Sequence, residues 1–145
     1  GNFYIIAGDE NFPWGVLATK GQPSNPRGGY HFLNFSDPDN PKEEAIYEVP
    51  EAGSHNLWIF GDILIAGNYQ GGLRVVDISG ELLGDIYKQG REIGHYLPYH
   101  KKGKIPNAPM VWGAQPYKDY IYFADMNSGL YCIKLEDIKK DLGTP

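Results

Sequence analysis

Five polar residues of this 145-residue chain stand where predicted strands begin or end. Asp9 and Glu10 close one apolar run, His55 and Asn56 open another, and Asp125 closes a third. Adjacent carboxylates at a strand end supply the oxygen ligands that a hard divalent cation takes. A neutral imidazole is the commonest nitrogen ligand for a metal. Asp9, Glu10, His55, Asn56 and Asp125 therefore form the candidate ligand-binding set, with a divalent metal as one class of occupant and its identity open. The competing reading makes the same groups turn carboxylates and partners for backbone amides.

Other constellations carry less. Asp37, Asp39 and Asn40 imitate a calcium loop, but Pro38 and Pro41 and the lack of a later bidentate Glu at the required spacing make this a turn. His95 and His100 lie five apart in a predicted loop, and two histidines do not make a metal site. Cys132, the only cysteine, excludes an internal disulfide and reads as a small buried strand residue. No phosphate-cradling glycine loop, serine elbow or Cys/His dyad occurs. No catalytic residue is assigned.

The elements that must position these residues repeat. Gly28-Gly29-Tyr30, Gly71-Gly72-Leu73 and Ser128-Gly129-Leu130 each open an apolar or alternating run, and each follows a second apolar run ending near Ala7, Ala66 or Ala124. These alanines recur at intervals of 59 and 58 residues. Strand groups at a fixed period mark a radial all-β array, most often a β-propeller.

The middle repeat reads as four strands: His55–Phe60, Ile63–Gly67 after a Gly61-Asp62 hairpin turn, Leu73–Ile78, and an outer strand over Leu82–Tyr87. The first repeat has strands from Phe3, over His31–Phe35 and over Ala45–Pro50, with a Pro/Gly-rich insertion at 11–27 that contains Trp14. The third has strands near Met110–Gln115, Tyr120–Asp125 and Leu130–Leu135. The expected organisation is a partial blade at 1–50, a complete blade plus long loop at 51–109, and a partial blade with a polar tail at 110–145. The expected fold is thus an all-β propeller segment of about three blades and ten strands, part of a larger closed propeller. The rest of the ring would come from further sequence or from another chain. Its end faces would expose Ile5, Phe32, Ile121 and Tyr131.

Composition fits. Glycine (19), proline (11) and tyrosine (11) are abundant, as turn-rich sheet proteins require. The net charge is −5 and the basic residues cluster only at Lys101-Lys102-Gly103-Lys104, which argues against a nucleic-acid partner. No apolar run approaches the roughly 20 residues of a membrane-spanning helix.

Four segments together resemble the LVIVD-repeat family of β-propellers. They are Ser54-His55-Asn56-Leu57-Trp58, Gly72-Leu73-Arg74-Val75-Val76-Asp77-Ile78-Ser79, Phe35-Ser36-Asp37-Pro38-Asp39-Asn40-Pro41, and Pro106-Asn107-Ala108-Pro109 with the Ala124–Leu130 stretch. The resemblance covers about residues 3–136 and places the chain at the C-terminal blades. It implies a bacterial or archaeal protein outside the cytoplasm: periplasmic, cell-surface or secreted. Trp112 stands where the middle repeat has His55, so the visible repeats do not supply a ring of identical histidines. Two functions follow as expectations. One is a non-catalytic scaffold or recognition module for proteins or ligands. The other is a metal-dependent enzyme with its site at the propeller channel, by analogy with selenium-binding-protein-type oxidases.

Overall fold

The structure, a computed structural model, describes residues 2–10 and 27–134. Most of the expected insertion at 11–27 and the tail beyond Lys134 lie outside the described residues. Among those residues the chain is all-β, with eleven strands in three sheets and no helix.

Sheet A contains β1 (Tyr4–Gly8), β2 (Gly29–Asn34), β3 (Lys42–Glu48) and the two-residue β7 (Gly84–Asp85). Sheet B contains β4 (Leu57–Phe60), β5 (Ile63–Gly67), β6 (Leu73–Asp77) and β8 (Glu92–Tyr96). Sheet C contains β9 (Val111–Tyr117), β10 (Tyr120–Asp125) and β11 (Gly129–Lys134). All pairings are antiparallel except β3 with β7.

Sheet B lies between the other two because its central strands are apolar on both faces. Leu64, Ala66 and Val76 enter the core shared with Tyr30, Phe32, Ala45 and Tyr47 of sheet A. Ile65, Leu73 and Val75, one residue out of phase, enter the core shared with Val111, Ala114, Ile121 and Phe123 of sheet C. Alternate side chains of a strand point to opposite faces, so a continuous apolar run is the sequence of a doubly covered strand.

Hairpin registers refine the repeat. Phe60 pairs with Ile63 across one tight turn and Tyr117 with Tyr120 across another. Gly8 pairs with Tyr30, Gly67 with Leu73 and Ala124 with Leu130. Asp9, Asn68 and Asp125 are therefore counterparts, and Phe123, not Ala124, is the counterpart of Ala7 and Ala66.

Four further expectations are corrected. The outer strand of sheet B is Glu92–Tyr96, not Leu82–Tyr87. The segment before it cannot run extended: Gly84 has φ +61°, and Asp85 folds a turn by accepting from the Lys88 and Gln89 amides. Its Leu82 and Ile86 sink into the core between sheets A and B, and Gly84–Asp85 adds to sheet A. His95 consequently sits in a strand rather than a loop. The open end faces also differ. Phe32 and Ile121 are buried and Tyr131 packs against the second core, whereas Tyr120, Tyr122 and Leu130 are exposed. Cys132 is exposed, because it pairs with Tyr122 on the face of sheet C that points away from sheet B.

Candidate functional site

The three sheets meet around one residue, Tyr69, in the β5–β6 loop. Its backbone has φ +48°, a left-handed conformation that non-glycine residues seldom adopt. The Asn68–Gly72 loop holds it there: the Asn68 amide donates to the Gly72 carbonyl, and the Gly72 amide donates to the Tyr69 carbonyl. Tyr69 also exchanges both backbone hydrogen bonds with Val111 at the start of β9, each 2.9 Å long, which joins sheet B to sheet C. Its phenol donates to Glu10 Oε1 at 2.5 Å, just beyond β1 of sheet A. Burial and the Glu10 hydrogen bond push the Tyr69 phenol well above its ordinary pKa.

His55 stands against Tyr69. Its ring lies edge-on to the Tyr69 ring at 5.3 Å and stacks on Trp112 at 5.3 Å with planes 20° apart. The Nδ1–H donates to the Trp112 carbonyl at 2.8 Å. In the neutral ring this leaves Nε2 as the acceptor, 3.8 Å from Glu10 Oε1. A proton on Nε2 makes the two an ion pair; a bound cation is the other way to satisfy facing lone pairs. The His55 amide donates to the Tyr30 phenol at 3.2 Å, and that phenol donates to the Gly67 carbonyl at 2.7 Å. Sheets B and C approach closely here: a Cβ at Gly67 would lie 2.5 Å from the Trp112 carbonyl oxygen, so only glycine fits.

The sequence-predicted residues divide. Glu10 and His55 come together. Asn56 lies beside them, its amide donating to the Trp112 carbonyl and its own carbonyl accepting from Gly67. Among the described residues, Asp9 joins through its backbone: its amide donates to the Gly29 carbonyl and its carbonyl accepts from the Ser54 hydroxyl. Asp125 is 3% exposed and consumed by its own turn, accepting from the Met110, Asn127 and Ser128 amides and the Ser128 hydroxyl. Among the described residues, no group of three or more His, Cys, Asp or Glu is placed to hold a metal. The Asp37 turn is as expected, with Asp37 Oδ1 and Oδ2 accepting from the Asp39 amide and the Asn40 side chain.

Beside His55 opens a cleft of about 500 Å³, lined by Trp58, Trp112, Gln115, Tyr122 and Leu130 among others. Among the described residues that line it, Asn56 and Gln115 offer amides and none is a carboxylate. Such a lining suits stacking and neutral hydrogen bonding, with the His55 ring at one end. Comparisons with protein-family models, with curated proteins and with solved structures found no match.

Tyr69, Trp112 and Tyr30 are the members that sequence reasoning missed. The signal was positional. Tyr69 occupies the repeat position of Glu10, and Trp112 that of His55, so the Glu10–His55 pair between sheets A and B recurs as Tyr69 beside Trp112 between sheets B and C.

Proposed function

We propose that the chain is part of a β-propeller, with blades at 1–50, 51–109 and 110–145, that serves as a non-catalytic scaffold or recognition module. One observation carries this reading: sheet B is covered on both faces by sheets of its own kind, in the same register relation each time. Radially repeated blades pack on one another in this way, which supports the reading. The further blades, the LVIVD-repeat kinship and a place outside the cytoplasm belong to the same proposal and rest on the sequence resemblance. The recognition surface is the aromatic cleft beside His55, whose chemistry is stacking and amide hydrogen bonding.

The second reading, a metal-dependent enzyme at the channel, draws on His55 Nε2 and Glu10 Oε1 meeting at 3.8 Å. Metal content separates the two. The recognition reading expects far less than one metal ion per purified chain and a melting temperature indifferent to a chelator. One transition-metal ion per chain, lost in His55→Ala, would overturn the metal-free recognition reading, and turnover by the metal-loaded protein, lost in the same variant, would establish the enzyme reading.

A further inference from the structure

The repeat registers identify which residues of each sheet grip its neighbour. Sheet B holds sheet C with Ile65, Leu73 and Val75. Their counterparts on sheet C are Tyr122, Leu130 and Cys132, and all three are exposed. Sheet B is held by sheet A at Leu64, Ala66 and Val76. Their counterparts on sheet A are Ile5, Ala7 and Leu33, which share its face away from sheet B, with Ile5 41% exposed. The chain thus carries both halves of one more interface of the kind it already makes twice. Size matching agrees. Tyr30 and Phe32 of sheet A lie against the smaller Leu64 and Ala66 of sheet B. The open faces repeat that contrast, with Tyr122 and Leu130 on one and Ile5 and Ala7 on the other.

We propose that the open face of sheet C seats the open face of sheet A of a second copy of this chain. The proposal rests on the propeller reading and names the occupant of its next seam. An A-on-C contact is heterologous, so two copies can satisfy each other by closing into a ring with two identical seams. Seated there, the second copy walls the Tyr122–Leu130 side of the cleft and leaves the His55 end at the edge strands β4 and β9.

Sedimentation equilibrium on the 145-residue chain tests the seam. The expected mass is twice the 16.2 kDa of one chain. Ile5→Arg and Leu130→Arg should each give single chains, and mixing the two should restore association, because each variant retains the face the other lacks. Cys132 provides a readout that needs no variant: it should be protected from a thiol reagent in the two-chain species and react at the free-thiol rate in denaturant. A single-chain mass at every concentration, a mixture no more associated than its parts, or full Cys132 reactivity in the associated species would overturn the seam. A single-chain mass would leave the propeller reading standing, with further sequence or a different polypeptide closing the ring; that reading is tested by the shape of the assembled particle.

Discussion

Tyr69 shows how much one side chain can join when its backbone is held in an uncommon conformation. Its amide and carbonyl belong to sheet C and its hydroxyl to sheet A, while its ring supports His55 of sheet B. Tyr69→Phe keeps the ring and removes the bond to Glu10, so it should cost about 1 kcal/mol in denaturant unfolding. The buried phenols also set an alkaline limit. Burial is the first cause raising the pKa of Tyr30, Tyr47 and Tyr69, with the carboxylates of Glu92 and Glu10 adding to it at Tyr47 and Tyr69. An unfolded phenol ionises near about pH 10. The folded chain holds these protons more tightly, so their contribution is complete below about pH 10 and is lost as pH rises towards the folded values. A spectrophotometric titration should show these phenols ionising together with unfolding; smooth ionisation of every tyrosine in a folded chain would contradict this. Polar residues interrupt apolar runs at equivalent places, which singled out Asp9, Glu10, His55 and Asn56; of these, the structure brings the Glu10 and His55 side chains together, while Asp9 and Asn56 enter through backbone bonds. Asp125 stood in the candidate set but its role was not legible, since sequence alone does not reveal that its turn supplies three donors and the distant Met110 amide a fourth.

The strands were readable where apolar runs are doubly covered, as in β5 and β6, and where a hairpin turn marks the join. They were not readable where pairing depends on a distant partner. Glu92-Ile93-Gly94-His95-Tyr96 is polar by composition, yet it becomes the outer strand of sheet B because Glu92 is held by Arg74 on β6. Arg74 donates to both Glu92 oxygens, at 3.1 and 3.0 Å, and the Tyr47 phenol donates to Glu92 from sheet A at 2.5 Å. Both ion-pair side chains are largely buried, at 11% and 15% exposure. Glu92→Ala would leave the Arg74 guanidinium without its carboxylate partner, and a loss on the order of 3 kcal/mol is expected in thermal or denaturant unfolding. Gly67→Ala tests the other junction. Its Cβ would meet backbone rather than a movable side chain, so sheets B and C must separate, with a loss of about 1–3 kcal/mol. A Gly67→Ala chain as stable as the parent would contradict the close approach of β5 to Trp112.

At the scale of the molecule, period and composition made an all-β repeat legible, and three sheets with B in the middle agree with it. Ile5 was legible on the open face of sheet A; the open face of sheet C was not, because a one-residue shift reverses which side chains point outward. Anchoring the third repeat on Ala124 instead of Phe123 makes that shift, and it is why Ile121 and Tyr131 were expected outside when Tyr122 and Leu130 are there. Each open face exposes apolar area that burial would stabilise at about 25 cal/mol per Å², so the account expects both to be covered in the assembled protein. The central claim is that sheets of this kind follow one another around an axis. Electron cryomicroscopy of the assembled protein tests it most directly. The account predicts a ring of sheets around a central channel, with His55 and Trp112 on adjacent sheets near the channel mouth. Two sheets packed face to face as a sandwich, with the faces bearing Ile5 and Leu130 left open to solvent, would contradict it.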